Sequence, residues 1–353
     1  MFRGFCWNIG VARSIRRCGS SFAFQSSFQP SGKVSSTSIW LSSASDPPKI
    51  LPTSGSSAVR SIRPPSLTDA PEKLQLLSFY RFTPIADPES IRDTLFEKLK
   101  TIPGLRGTVY IAKEGINAQF SVSVGDALQN LLETFGEKGC LPFDTFAQNP
   151  PNLGTVVEGT VPTFDRLIVR TRDYILRDGI LPQKGDDDSV LDWSDAGVEL
   201  DAKDWDEQLR LGTTSDEKIQ LLDCRNTYES DQGTFRSSTP LNTQTFSETW
   251  SLLDTQVESN SLDPNEPVYI FCTGGIRCVK VGAYLKQRLG FQDVRSLKHG
   301  IIGYERWAND ERVLKENDCG SNEEEEDLWV GENFLFDKRR FAEGAPDSEE
   351  TKE

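Results

Sequence analysis

The run PVYIFCTGGIRC, Pro267 to Cys278, constrains the fold more than any other stretch of the chain. Four apolar residues, Val268 to Phe271, lead without polar alternation into a thiol, a threonine and two glycines, and a helical pattern follows. Short apolar runs without alternation are strands buried on both faces, and such strands belong to parallel sheets. KIQLLDCRN, Lys218 to Asn226, repeats the form, a buried strand ending in polar residues, and DVRSL, Asp293 to Leu297, supplies a third. Helices are expected over Asp204 to Leu211, Phe246 to Val257 and Arg277 to Leu289, the last stopped by Gly290. Short strands alternating with helices imply an α/β unit with a parallel sheet. Ligand sites in such sheets lie beyond the carboxyl ends of the strands. Asp223, Arg225 and Cys272 stand at such ends.

A different order precedes it. LQLLSFYRF, Leu74 to Phe82, reads as a strand, and Asp87-Pro88 starts a helix with Asp87 as N-cap. GTVYIAKEGINAQFSV, Gly107 to Val122, reads as two strands around a turn at Lys113-Glu114-Gly115. A helix over Val124 to Phe135 and a strand over Arg166 to Leu176 complete the order β-α-β-β-α-β, which predicts a ferredoxin-like sandwich. The expected organisation is therefore a leader and spacer over 1–68, a ferredoxin-like domain over 72–180, an α/β domain over 195–312 and an acidic extension over 313–353.

Composition narrows the chemistry. Residues 1–45 carry Arg3, Arg13, Arg16, Arg17 and Lys33, no acidic residue and many serines, the make-up of an organellar transit peptide for plastid or mitochondrion, with a disordered tail as the plainer alternative. Residues 1–68 hold eight basic residues and one acidic, which leaves 31 basic against 53 acidic residues beyond them. A remainder so acidic attracts nucleic acid only through a local basic face. Seven scattered cysteines fit a reducing compartment better than a disulfide framework. His299 is the single histidine, and neither HExxH nor GxSxG occurs, which argues against zinc hydrolase and triad chemistry; no metal site or cofactor motif is evident. No apolar run reaches membrane-spanning length.

The loop itself reads as an anion-accepting cradle. Gly274 and Gly275 allow backbone N–H groups to turn inward, and the next helix aims its positive end at the same point. A thiol there is acidified, and Arg277 adds a fixed charge. Cys272 is then a nucleophile or a sulfur carrier; the plainer alternative is a buried cysteine at a tight turn. Asp223 and Arg225 form either a brace for the loop or ordinary strand-end polars. Cys278 is an ordinary helix residue, a resolving thiol for Cys272, or, least of all, a zinc ligand.

A six-residue loop from Cys272 through Thr273, Gly274, Gly275 and Ile276 to Arg277, behind a buried strand, resembles the active-site loop of rhodaneses. GTVYIAKEGINAQFSV, RNTYESDQGTF, FCTGGIRCVKVGAYLK, LKHGIIGYERW and WVGENFLFDKRR occur in the order found in rhodanese-domain tRNA uridine 5-hydroxylases, over roughly Leu74 to Phe341. The resemblance implies hydroxylation of the wobble uridine with dioxygen as co-substrate, tRNA as partner and Cys272 as the active-site cysteine; it names no electron donor. The chain departs from that family at Val279, where Glu is usual, at His299-Gly300, where Gly-Gly is usual, and at Asn333, where many members have Cys. Within the resemblance, Lys113, Arg166, Arg170 and Arg172 are candidates for RNA contact, the three arginines alternating along one strand. The loop alone predicts a sulfurtransferase holding a persulfide on Cys272, and a non-catalytic binding module is the third reading.

Overall fold

Alternation along Glu72–Phe82 sets the first layer: Leu77 and Phe79 enter a core, while Ser78 and Tyr80 face the other way. The computed structural model describes residues 58–64, 72–136, 138–146, 150–159, 164–180, 191–214, 219–317 and 326–334. All of these belong to one compact unit, residues 56–353. The expected transit peptide before residue 58, Cys6, Cys18, Cys319 and most of the acidic extension lie outside the described residues.

The N-terminal layer contains β1 (Val59–Ile62), β2 (Glu72–Phe82), α1 (Pro88–Leu99), β3 (Arg106–Ala112), β4 (Gly115–Ser123), α2 (Asp126–Phe135), β5 (Asn152–Gly159) and β6 (Leu167–Thr171). Asp87 caps α1 by accepting from the Ser90 N–H at 3.0 Å. One sheet results, in the order β1-β6-β3-β4-β2-β5. Leu95 and Leu99 of α1 and Leu131 and Phe135 of α2 pack on Val109, Ala118, Phe120 and Val169. The opposite face carries rows fixed by register, Tyr80–Asn117–Tyr110–Arg170 and Asn152–Ser78–Gln119–Thr108.

The ferredoxin-like core is β5-β2-β4-β3, and this corrects the sequence reading at one strand. The fourth strand of the sandwich is β5, in a segment read as irregular, and not the stretch Arg166 to Leu176. Strand β5 follows Pro150-Pro151, includes two glycines and pairs only with β2, so its neighbour's ladder rather than its own apolar pattern makes it a strand. Strand β6 is shorter than expected and adds to the far edge, parallel to β3. Strand β1, within the stretch read as spacer, pairs antiparallel with β6.

The second layer contains β7 (Val198–Leu200), α3 (Ala202–Thr214), β8 (Gln220–Asp223), α4 (Thr227–Ser230), β9 (Gly233–Phe235), β10 (Thr239–Pro240), a 3-10 turn (Phe246–Glu248), α5 (Thr249–Glu258), β11 (Val268–Phe271), α6 (Ile276–Gln287), β12 (Val294–Leu297), α7 (Gly300–Asn317) and β13 (Trp329–Gly331). The sheet β10-β8-β11-β12-β7 is parallel throughout. Val268 and Ile270 meet Val281 and Leu285 on one face, and Tyr269 and Phe271 meet Trp205, Ile301 and Tyr304 on the other. Residues on both sides of β11 are buried, which is why this strand lacks polar alternation. Part of the segment expected as an acidic extension returns to this layer: β13 pairs antiparallel with β9, and Asn333 is buried, donating to Glu305 at 3.0 Å.

Lys280 of α6 joins the two layers. Its ammonium is 0 % exposed and lies 2.9 Å from Glu114, in the β3–β4 turn, and 2.5 Å from Asp178, in the connecting segment. It also stands over the rings of Phe82, Tyr174 and Trp193, the last at 4.7 Å from the ring centroid. Glu114 further accepts from the Ile175 N–H at 2.8 Å, so one carboxylate fixes both the helix and the connection. Replacing Lys280 with Met leaves buried Asp178 and partly buried Glu114 without their cation. The expected cost is about 3–5 kcal/mol, read as a lower midpoint in chemical denaturation; an unchanged midpoint refutes this account of the joint.

Candidate functional site

The loop after β11 is shaped by backbone contacts. Gly275, the N-cap of α6, has φ +93°, and a Cβ there would lie 2.9 Å from the Tyr80 hydroxyl oxygen. Its N–H donates to Cys272 Sγ at 3.1 Å. Gly300 has φ +58°, and a Cβ on it would stand 2.3 Å from the Cys272 carbonyl oxygen. That close approach lets the first turn of α7 hold the loop: the Ile301 N–H donates to the Cys272 carbonyl at 3.0 Å and the Ile302 N–H to the Thr273 carbonyl at 3.2 Å.

The Cys272 thiol is driven toward the thiolate. Burial opposes the charge, but a hydrogen bond from the Cys278 thiol, the Arg277 guanidinium and the backbone N–H groups of Cys278 and Arg277 outweigh it and bring its pKa down to about 5. Cys278 moves the opposite way. Burial first, then hydrogen bonds with Cys224 and Cys272, push its pKa up, so Cys278 remains a thiol that can donate. Burial also raises the Tyr80 pKa, with Glu199, Cys272 and Cys278 adding to it. His299 is held neutral at ordinary pH: burial, with Lys298 and Arg306 nearby, lowers it to about 4.

Two buried ion pairs stand behind the loop. Arg277 meets Glu229 through two bonds, at 2.6 and 2.7 Å, and also donates to the Thr273 hydroxyl at 3.1 Å. That hydroxyl donates to Glu229 at 2.9 Å. Burial would raise the Glu229 pKa, but Arg277 holds it below the usual carboxylate value. Arg225 meets Asp223 at 2.9 and 2.6 Å, both 0 % exposed, and bonds the carbonyls of Glu229 and Gly233. The second pair thus positions α4, which carries the partner of the first.

Cys272, Thr273, Gly274, Ile276 and Arg277 line a cavity of about 270 Å³, and its opposite wall is the N-terminal sheet: Ser78, Tyr80, Asn117, Gln119 and Asn152. Asn226, Tyr228, Phe246, His299 and Ile302 close it from the second layer. Asp223, Arg225 and Cys278 do not line it; they lie beneath. Lys113, Arg166, Arg170 and Arg172 do not line it either. The expectation that the three arginines alternate along one strand is corrected: only Arg170 lies within β6, with Arg166 and Arg172 flanking it. Arg170 and Arg172 nevertheless converge on one ring, 5.6 and 5.5 Å from the centroid of Tyr110.

Sequence reading passed over Glu229, although Asn226-x-x-Glu229 has capping-box spacing and both of its hydrogen bonds form. It also passed over Tyr80 and Asn152, whose place opposite the loop follows from how the two layers dock and from no local pattern. Asn117 ends the hairpin stretch Lys113 to Asn117, which the family resemblance offers as a lining of the substrate site, and it does line the cavity.

Residues 74–175 match the UPF0176 acylphosphatase-like domain, and residues 207–309 match the rhodanese-like domain. The chain pairs a UPF0176 acylphosphatase-like domain with a rhodanese-like domain. Curated relatives named tRNA uridine(34) hydroxylase occur in Salmonella schwarzengrund, at 33 % identity, Citrobacter koseri, at 32 %, and Escherichia coli, at 33 %. Each match runs over 263 residues, 74 % of this chain and 65 % of the relative's length. The Cys272 loop, Glu229 and the Asp223–Arg225 pair fall in the rhodanese-like domain, while Tyr80, Asn117 and Asn152 fall in the UPF0176 domain. Among the described residues, no group of three or more His, Cys, Asp or Glu side chains could hold a metal ion, and no helix is long and apolar enough to cross a membrane.

An ionised cysteine absorbs in the ultraviolet where the neutral thiol does not, and the thiolate is the form present here. In the wild type this absorbance is expected to grow as pH rises through about 5 and to be missing from Cys272→Ser. Cys278→Ala removes a donor to the sulfur and is expected to move the midpoint upward. A midpoint that does not move shows that the Cys278 thiol makes no such contribution.

Proposed function

We propose that the protein hydroxylates C5 of the wobble uridine of tRNA, with Cys272 as the reacting thiolate. In this reading dioxygen is the oxidant, and the reducing equivalents come from outside the chain. The observation that carries it is the composite cavity. A stabilised thiolate lies on one side, and neutral hydrogen-bonding groups of a second domain, Ser78, Tyr80, Asn117, Gln119 and Asn152, lie on the other. Amides and hydroxyls without charge are suited to the edge of a flipped, uncharged base. The names of the relatives supply the position of that base in tRNA.

RNA approaches this cavity, on the same reading, over the open face of the N-terminal sheet. Asn117 lines the cavity, and its cross-strand neighbour Tyr110 is the ring under Arg170 and Arg172. Neither arginine forms an ion pair with a described residue, in a chain of net charge -15. Lys113 and Arg166 flank the same sheet and are exposed. Delivery to a plastid or mitochondrion is part of the proposal and rests on the composition of residues 1–45.

The full chain, incubated with tRNA, a reductant and oxygen-18 gas, is expected to add one heavy oxygen to the wobble nucleoside, read by mass spectrometry. Cys272→Ser is expected to lower the rate by about 100-fold or more. Unlabelled product refutes dioxygen as the source, and no product on any tRNA refutes the function. Replacing Arg170 and Arg172 with Ala is expected to weaken tRNA binding and to reduce its salt slope by about one for each phosphate no longer neutralised; unaltered affinity and slope remove this face from the binding site. The N–H cradle around Cys272 also favours sulfur transfer. Cysteine-dependent transfer from thiosulfate to cyanide, in a preparation that leaves tRNA unmodified, makes that the better reading.

A further inference from the structure

The Tyr80 hydroxyl stands against the Cys272 loop at Gly275. It comes from β2 of the other domain, lines the cavity with Cys272, and packs on Gly275, whose N–H holds the Cys272 sulfur. It hydrogen-bonds to no described residue. Three other donors of the cavity wall are committed: the Asn117 amide donates to the Ile175 carbonyl, the Asn152 amide to the His299 carbonyl, and the Thr273 hydroxyl to Glu229. Ser78 and Gln119 are not, but Tyr80 is the donor placed against Gly275 of the loop. Tyr80 is therefore an unengaged O–H donor, in contact with the loop of the thiolate, across a cavity of base-accepting size.

Uracil C5 is a poor electron donor because the ring's C4 carbonyl withdraws density through the C5–C6 double bond. The same conjugation makes C6 an acceptor for a thiolate. We infer that Cys272 acts by adding to C6 of the target uracil, and that Tyr80 is the catalytic donor that hydrogen-bonds to O4 as it gains charge. The inference rests on the uridine reading above. In this step the sulfur–C6 bond forms, the C5–C6 π pair moves into a C4–C5 double bond, and the C4 carbonyl pair moves onto O4. Nothing is oxidised or reduced, and the reverse step breaks the sulfur–C6 bond. The adduct is an enolate with electron density at C5, the atom that is to be hydroxylated. Its oxygen needs a donor fixed in advance in a site shielded from water, and a neutral phenol held at the cavity wall is such a donor. Burial raises the pKa of that phenol, so it is still protonated at neutral pH, where Cys272 is ionised.

The experiment uses the full chain without oxygen and tRNA bearing deuterium at C5 of the wobble uridine. Addition at C6 allows C5 to exchange with water, so the wild type is expected to release deuterium and Cys272→Ser to release none. Tyr80→Phe keeps the ring and, at saturating tRNA, is expected to release it about 100-fold more slowly. As a measurement independent of any variant, tRNA carrying 5-fluorouridine at the same position is expected to give a covalent complex at Cys272 by intact mass. Exchange at the wild-type rate in Tyr80→Phe overturns the role of Tyr80. A wild type that hydroxylates this tRNA in air, yet releases no deuterium and forms no covalent complex, overturns addition at C6 and leaves the uridine reading standing. No hydroxylation in air removes that reading and this inference with it.

Discussion

One buried ammonium decides whether there is a cavity at all. Lys280 projects from the helix that begins at the Cys272 loop, and its partners Glu114 and Asp178 belong to the other layer and to the connection. A cation removed from water in this way is costly unless it is compensated, so the docking that satisfies Lys280 is strongly specified. The rings of Phe82, Tyr174 and Trp193 complete its surroundings without adding charge. Because Lys280 lies three residues beyond Arg277, the contact that joins the domains and the contact that anchors the loop share one helical face and one rigid element.

The loop divides its work between backbone and side chains. Its shape comes from the positive φ of Gly275 and from the α7 N–H groups bound to its carbonyls. Its charge balance comes from Arg277, which Glu229 compensates in turn. Arg225 and Asp223 are one step further away, orienting the short helix that carries Glu229. Deleting one member of such a nested set exposes its partner, so single substitutions here are expected to interact and not to add.

The sequence was legible where a local rule acts. The buried strands β8 and β11 were readable from their short apolar runs, and α1 from Asp87-Pro88. Cys272 was readable from a thiol placed on glycines before a helix. Strand β5 was not readable, because an edge strand with two glycines owes its conformation to the β2 ladder beside it. Strands β1 and β13 escaped for the same reason, being short pieces recruited by β6 and β9. Asn152 lay in a segment without a strand pattern. Tyr80 looked like the polar half of an alternating strand, which it is. Only the docking of a second sheet's loop against that half turns it into a cavity wall.

That shared wall has a thermodynamic consequence. The cavity exists only while the two layers are together, so any molecule that fills it binds the docked arrangement and not the separated one. Linkage then requires occupancy to strengthen the docking itself, by about 2.7 kcal/mol when the free ligand is at about 100 times its dissociation constant. Whatever this site holds also acts as a clamp between the two halves of the protein, far beyond the few atoms it touches.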